Sequence, residues 1–253
     1  NGGIADIFVV PVSGGPARRL TSDNFNIIGT LTWTSDSREI VFNAFRREMR
    51  GLWRIPLQGG ALSRVIVDAR NPINPDISRQ GNKLIFTDYA NDSNIWMYQG
   101  PGFAGRDIPG KFGAPVKLPS SSLYEDQSPI LSPDGQTFVF VSERTGVLEL
   151  WLCDAEGKTT ARQLTRAGNA GSPRWSYDGK WIVYDSSADG DMNIFVISAT
   201  GDSPPRRLTT EKSSENVPAW SRDGQWIYFK SNRSGSSQIY KMPAAGGEAK
   251  QIT

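Results

Sequence analysis

Short apolar runs alternate with clusters of turn-forming residues along the whole chain. The pattern is clearest at 173–184, where Trp175 is followed by Ser-Tyr-Asp-Gly and then by the apolar run Trp-Ile-Val-Tyr. An Asp-Gly pair suits a tight turn, because glycine accepts a positive φ and the aspartate side chain caps nearby amides. The segment therefore predicts two short antiparallel strands, called strand a and strand b below.

This hairpin occurs five times. Clear copies lie at 129–140, 173–184 and 218–229, and two less regular copies precede them. The last residue of strand a falls at positions 33, 77, 131, 175 and 220, so the steps are 44, 54, 44 and 45 residues. In the two irregular copies Ser37 and Gln80 interrupt the Asp-Gly turn, which leaves the geometry of those turns open.

A second element, an aliphatic residue followed by an aromatic one, occurs six times and opens a strand c. A glycine-containing turn follows in most copies, and a short strand d then ends in a sequence such as Arg19-Leu20-Thr21. Four short strands in a period near 44 residues are typical of a propeller blade. The six pairs are Ile7-Phe8, Leu52-Trp53, Ile95-Trp96, Leu150-Trp151, Ile194-Phe195 and Ile239-Tyr240.

Six c–d pairs but only five a–b hairpins indicate that the chain begins inside a blade. We expect residues upstream of Asn1 to supply the two missing strands, because an open blade would leave an unpaired strand edge. The sequence thus predicts an all-β fold, a single β-propeller domain over 1–253 of the six-bladed type with its first blade incomplete. The expected units are a half blade at 1–21 and full blades at 22–66, 67–119, 120–165, 166–209 and 210–253.

The motif Trp-Ser-x-Asp-Gly-x-x-Ile-x-Phe, with Ser231-Asn232-Arg233-Ser234-Gly235 and Gln238-Ile239-Tyr240 after it, resembles the PD40 (WD40-like, TolB-type) repeat over nearly the whole chain. The family includes bacterial envelope proteins, the propellers of prolyl-oligopeptidase-type peptidases, and propellers attached to winged-helix regulators. Phrases such as Arg18-Arg19-Leu20-Thr21 are most similar to the last group. The resemblance favours a periplasmic or other extracytoplasmic location, with a cytoplasmic one still open.

Composition excludes several classes of function. The net charge is only +2, from 28 basic and 26 acidic residues, which argues against direct contact with nucleic acid. The chain has no histidine and one cysteine, so neither a Ser-His-Asp nor a Cys-His centre can form, and no metal or other cofactor is expected. No 18-residue apolar stretch exists, so membrane insertion is not expected.

Two motifs have a structural explanation. The glycine motif at 100–105 matches a nucleotide-binding loop, but Pro109-Gly110 prevents the helix that such a loop requires. Cys153 aligns with the apolar residues Val10, Ile55, Ile197 and Met242, which predicts a buried thiol rather than a nucleophile. The sequence therefore predicts no catalytic residue and no enzyme activity for this chain.

The face that carries the b–c and d–a loops is the predicted binding surface, since a rigid scaffold presents function on its loops. We expect a protein or peptide partner near the channel mouth, whereas the basic residues of the outer d strands are expected to protect exposed edges. The alternatives are a substrate-filtering propeller of a serine peptidase whose hydrolase domain lies elsewhere, and an architectural spacer. The candidate binding residues are Arg46, Arg47, Arg50, Asn74, Tyr124, Glu125, Asp126, Asn169, Glu215 and Asn216.

Overall fold

The computed structural model describes residues 6–22, 26–46, 49–69, 71–80, 83–89, 93–99, 116–118, 126–156, 158–188 and 190–253. Their strands form one two-stranded sheet and five four-stranded sheets, all antiparallel. Each four-stranded sheet is a meander in the order a, b, c, d, which confirms the predicted blade. Nothing in the described ranges forms a helix long and apolar enough to cross a membrane.

The half blade consists of β1 (Phe8–Val9) and β2 (Arg18–Arg19), as predicted for strands c and d. Blade 1 contains β3 (Asn26–Trp33), β4 (Glu39–Arg46), β5 (Met49–Pro56) and β6 (Ser63–Val65). Blade 2 contains β7 (Pro72–Ile77), β8 (Lys83–Tyr89), β9 (Ser93–Gln99) and β10 (Val116–Lys117). Blade 3 contains β11 (Asp126–Leu131), β12 (Thr137–Ser142), β13 (Glu149–Asp154) and β14 (Arg162–Gln163). Blade 4 contains β15 (Ala170–Trp175), β16 (Trp181–Ser186), β17 (Asn193–Ser198) and β18 (Arg206–Arg207). Blade 5 contains β19 (Glu215–Trp220), β20 (Trp226–Ser231), β21 (Gln238–Pro243) and β22 (Lys250–Gln251).

The a–b turns have the geometry that their sequence predicts. The Asp134 carboxylate accepts hydrogen bonds from the Ser132 hydroxyl at 2.6 Å and from the Gln136 amide at 3.0 Å, while Gly135 has a φ of 68°. The hydrogen bond from Ser132 is the main cause that lowers the pKa of Asp134. Ser37 replaces the glycine in blade 1 and adopts the same left-handed region at a φ of 58°, so that irregular turn keeps the shared form.

Apolar residues of strands b and c fill the space between neighbouring blades. Phe42, Phe86, Phe140 and Phe229 are buried at the same position, the fourth residue of a strand b. The tryptophan that ends strand a connects a blade to the one before it. The indole N–H of Trp175 donates to the Ile130 carbonyl at 3.1 Å, and Trp220 donates to the Arg174 carbonyl at 3.2 Å in the same way.

A threonine at the end of strand d fastens it to strand c. In blade 4, the Thr209 hydroxyl accepts a hydrogen bond from the Ile194 amide at 2.9 Å and donates one to Asn193 Oδ1 at 3.2 Å. Blade 1 has Gly51 and Ile66 at the corresponding positions, so it lacks both halves of the contact. The same contact is present at Thr21 with Asp6, Thr165 with Glu149 and Thr253 with Gln238.

Two arginines of the outer d strands also contact the neighbouring blade. Arg18 donates to the Leu57 carbonyl at 2.5 Å, and Arg206 donates to the Ala245 carbonyl at 2.8 Å. Each bond runs from strand d of one blade to the c–d turn of the next. These arginines therefore help to hold neighbouring blades together at the outer wall.

Two of the predicted binding residues, Asp126 and Glu215, are fully buried in ion pairs at the start of their inner strands. Arg144 Nη2 lies 3.0 Å from both carboxylate oxygens of Asp126, and Arg233 Nη2 lies 2.7 Å from Glu215 Oε2. Both carboxylates are therefore neutralised by an arginine from the b–c loop of their own blade. They add no net negative charge to the loop face.

Loss of the threonine contact should destabilise a blade. Thr209→Val removes the acceptor of the buried Ile194 amide, so we expect the free energy of unfolding to fall by about 1–3 kcal/mol in denaturant titration. The exposed neighbour offers a matched control, since Thr210→Val makes the same change without touching a buried amide. Equal unfolding free energies for the two variants would contradict this explanation.

The ion pair of blade 3 should behave as a coupled unit. Arg144→Ala leaves the fully buried Asp126 without its main counter-charge, and we expect a loss of about 3–5 kcal/mol in unfolding free energy. The double variant Asp126→Ala/Arg144→Ala reproduces blade 4, which has Ala170 and Ala188 at these positions, and should be more stable than Arg144→Ala alone. Additive losses in this double-mutant cycle would show that the pair is not coupled.

Candidate binding site

The inner strands surround the central channel of the propeller. Strand a is the edge strand of every full blade, and consecutive a strands contact each other. Each one contains a bulge, where the register against strand b shifts. In four blades the bulge places a residue other than glycine at a positive φ of 46–52°: Asn74, Ser128, Ser172 and Val217.

This layer of bulge residues is mixed in character. The Thr30 hydroxyl of blade 1 donates to Asn74 Oδ1 at 3.4 Å, which joins two neighbouring inner strands. Val217 in blade 5 has an exposed side chain. The channel therefore offers both hydrogen-bonding groups and apolar surface at the same level.

A second layer lies one residue before the end of each inner strand. The Asp76 carboxylate in blade 2 accepts hydrogen bonds from the Leu131 amide of blade 3 at 2.8 Å and from the Thr32 hydroxyl of blade 1 at 3.1 Å. It therefore connects three blades. Burial raises the pKa of Asp76, although these donors and the charge of Arg174 act in the opposite direction. The hydrogen-bonding capacity of the Asp76 carboxylate is thus used by groups of the protein itself.

Arg174 occupies the corresponding position in blade 4 and is half-buried. Within the described ranges it makes one hydrogen bond, from Nη1 to the Pro173 carbonyl at 2.8 Å, so most of its five N–H donors have no acceptor in that part of the chain. Burial lowers its pKa, while Asp76 and Asp185 favour the charged form. The Asp185 carboxylate accepts a hydrogen bond from the Val217 amide at 2.8 Å. Both nearby carboxylates thus have donors from the backbone, whereas Arg174 has unused N–H donors in the described part of the chain.

The end of the channel at the a–b turns is built differently. The Arg79 guanidinium of blade 2 lies 3.3 Å from the centre of the Tyr177 ring of blade 4, so a side-chain stack spans blade 3. Burial lowers the pKa of Arg79, and the nearby Arg222 of blade 5 acts in the same direction. The stack occupies this end, whereas the opposite end carries the predicted loop residues.

The predicted residues are divided by the structure. Asn74 lies in the channel. Asn216 lies in the inner strand of blade 5 next to Val217, and its buried Oδ1 has no hydrogen-bond partner among the residues that the structure describes. Asn169 is exposed in the d–a loop at a φ of 54°. The structure gathers these three asparagines on the channel and its d–a mouth.

Two of the predicted arginines lie in the b–c hairpin of blade 1. Arg46 ends β4 and Arg50 follows the start of β5, where backbone pairing places them in one hairpin. Arg47, Tyr124 and Glu125 lie outside the described residues, as does the glycine motif at 100–105. Sequence reasoning missed Thr32, Asp76 and Arg174, although their shared position before the end of strand a was available as a signal.

The described residues offer little acid–base chemistry. The Cys153 thiol is buried, donates to the Thr159 carbonyl at 3.3 Å, and has its pKa raised by burial. Within the described ranges, no three His, Cys, Asp or Glu side chains form a group that could hold a metal ion. What the site provides is fixed donors, acceptors and an apolar side chain around a channel.

The amino-acid sequence of the chain is similar to parts of known proteins. An uncharacterized protein of Agrobacterium fabrum is 32% identical over 75 residues, which cover 30% of this chain and 26% of that protein. Tricorn protease homolog 1 of Streptomyces coelicolor is 24% identical over 214 residues, which cover 81% of this chain and 19% of that protein. The chain thus spans only about a quarter or less of these curated relatives.

Fold similarity extends over nearly the whole chain. A solved TolB-type structure from Agrobacterium tumefaciens superposes with a TM-score of 0.77 at 22% identity, covering 94% of this chain and 84% of that one. The likeness to propellers of winged-helix regulators stays a prediction. Residues 166–253 match the PD40 family, the TolB β-propeller domain. The chain is therefore a β-propeller whose fold is similar to a TolB-type structure and whose last 88 residues match the PD40 family.

Proposed function

We propose that this propeller is a non-catalytic binding module that takes an extended peptide segment of a partner protein into its central channel. The observation that carries the proposal is the unused hydrogen-bonding capacity of the channel. In the described part of the chain, Arg174 makes one hydrogen bond and the buried Asn216 Oδ1 makes none. Buried polar groups are normally satisfied, so such groups favour a ligand with complementary donors and acceptors.

A peptide backbone has this chemistry. Its carbonyls accept hydrogen bonds from a guanidinium, and its amides donate to a carboxamide oxygen such as Asn216 Oδ1. The exposed Val217 beside them offers contact to an apolar side chain of the peptide. The two carboxylates near Arg174, Asp76 and Asp185, disfavour a strongly acidic ligand.

We infer that the peptide enters from the face of the b–c and d–a loops, because the two ends of the channel differ. The Arg79–Tyr177 stack occupies the a–b turn end, whereas Asn169 and Asn216 lie towards the other mouth. Arg46 and Arg50 lie in the b–c hairpin of blade 1. A binding role for them, and for Arg47, Tyr124 and Glu125 outside the described residues, stays a prediction. Asp126 and Glu215 would act indirectly, by holding the starts of two inner strands.

A second candidate function has support from one relative. The matched region of tricorn protease homolog 1 covers 81% of this chain, so the propeller could accompany a peptidase domain and admit substrate through its channel. Catalysis would then reside outside the 253 residues. A peptide in transit would bind weakly and without sequence preference, whereas a partner segment would bind with a defined motif.

Selection from a peptide library tests the proposal. We expect a phage-displayed library of random 12-residue peptides, panned on the immobilised chain, to enrich a shared motif. Binding of the enriched peptides, measured by fluorescence anisotropy, should weaken about tenfold, or ~1.4 kcal/mol, in Arg174→Gln and in Asn216→Ala.

Arg222→Gln is the matched control, because it removes an arginine at the a–b turn end and should leave the affinity unchanged. Thermal unfolding of each variant separates loss of binding from loss of fold. Enrichment without a motif would favour the substrate channel, and no enrichment would contradict peptide binding. Peptides weakened only by Arg222→Gln would place the site at the opposite mouth.

A further inference from the structure

One position in the a–b turns, two residues after the end of strand a, gives this mouth of the channel its chemistry. Blades 1 to 5 carry at this position, in order, Ser35, Arg79, Pro133, Tyr177 and Arg222. Two of the five blades thus place a guanidinium here, and blade 4 places an aromatic ring between them in chain order.

Arg79 is held in a defined orientation by that ring. Its Cζ atom lies 3.3 Å from the centre of the Tyr177 ring, so the guanidinium covers one face of the aromatic group. The N–H groups of a guanidinium lie in its own plane, and stacking therefore leaves them able to donate. Arg79 is half-buried, whereas Arg222 and Tyr177 are exposed at the mouth.

Other cations of this face have an acidic neighbour within their own turn. The positive charge of Arg38 in blade 1 interacts with Asp36. That of Lys180 in blade 4 interacts with Asp178. Each pair offsets its own charge, so these turns offer little attraction to an anion.

Arg79 and Arg222 differ, because each adds a positive charge close to the other. Gln80 stands in blade 2 where the other turns have aspartate. Asp223 follows Arg222, but its carboxylate accepts a hydrogen bond from the Gln225 amide at 3.0 Å. Within the described ranges, neither guanidinium donates a hydrogen bond or forms an ion pair.

The carboxylates deeper in the channel do not balance this charge. Asp76 interacts with Arg79 and also with Arg174, and Asp185 interacts with Arg174 as well. Together with Arg222, three guanidiniums thus face two carboxylates. Positive charge is in excess at this end of the channel, and its donors are unused in the part of the chain that the structure describes.

We propose that this mouth binds a phosphate group, as free phosphate or as a monoester, between Arg79 and Arg222. The two arginines come from blades 2 and 5, on either side of the blade that carries Tyr177, so their donors approach a ligand from different directions. Phosphate has three strong acceptor oxygens that point in different directions, whereas a carboxylate has two in one plane. Hydrogen bonds from guanidinium to phosphate are charge-assisted and often bidentate.

The site has room for a larger ligand beside it. Tyr177 lines an open cavity of about 650 Å³ between blades 3 and 4. Hydroxyl groups of Ser132, Thr137 and Thr200 line the same cavity. Because hydroxyls both donate and accept hydrogen bonds, this lining suits the body of a sugar phosphate. The site lies at the opposite end from the proposed peptide mouth and does not depend on peptide binding.

A chemical-shift titration tests the proposal. The probes are inorganic phosphate, glucose 6-phosphate and acetate, each added to the ¹⁵N-labelled chain at constant ionic strength. We expect the Arg79 Nε–H signal to shift saturably with both phosphates and little with acetate. A lower half-saturation concentration for glucose 6-phosphate would support the monoester as the ligand, and equal concentrations would support the free phosphate group.

Matched variants locate the site. Arg222→Gln removes an exposed guanidinium, so the half-saturation concentration should rise about tenfold or more while the melting temperature stays unchanged. Arg38→Gln is the control, since it removes an exposed arginine of the same face that has an acidic neighbour, and it should leave phosphate binding unchanged. Asn216→Ala, at the peptide site, should also leave it unchanged.

Three outcomes would overturn the proposal. A shift that grows linearly without saturation would show that the two arginines form no site. An equal loss in Arg38→Gln and Arg222→Gln would show a general attraction of anions to this face. Acetate that shifts the Arg79 signal as strongly as phosphate would exclude the assignment to a phosphate group.

Discussion

Contact between neighbouring blades is the constraint on which the rest of this structure depends. A four-stranded sheet of this size buries neither face by itself, so each blade is stable only between two others. The tryptophan at the end of the inner strand combines apolar burial with a hydrogen bond to the preceding blade, as Trp175 does with the Ile130 carbonyl. At the outer wall, Arg18 and Arg206 reach the turn of the following blade. Blades are thus joined at both the inner and the outer edge.

Polar contacts inside the blades are gained and lost in pairs. Blade 3 has both Asp126 and Arg144, and blade 4 has alanine at both positions. Blade 1 has lost the threonine at the end of strand d together with the polar partner that precedes strand c, leaving Gly51 and Ile66. A buried polar group without its partner costs more than an apolar pair, which explains why single losses are rare. Asn94 in blade 2 is an exception, since its buried Oδ1 has no partner within the described ranges.

The channel and the boundary between the half blade and blade 5 depart from this pattern of paired contacts. Arg174 and Asn216 keep hydrogen-bonding capacity that no described residue uses, and Trp33 and Ile239 keep apolar surface that other blades bury. The first set favours a ligand that enters the channel.

The sequence by itself determined the repeat, the four-stranded blade and the half blade. Turn chemistry and alternation are local properties, so Ser-x-Asp-Gly followed by an apolar run specifies a hairpin wherever it occurs. Tertiary structure decided the roles of individual polar residues. Asp126 and Glu215 look like loop carboxylates in sequence, but each is buried against an arginine 18 residues away. Asp76 and Arg174 are 98 positions apart, and only the arrangement of blades 2 to 4 around the channel brings their charges together, because electrostatic interaction depends on distance in space rather than along the chain.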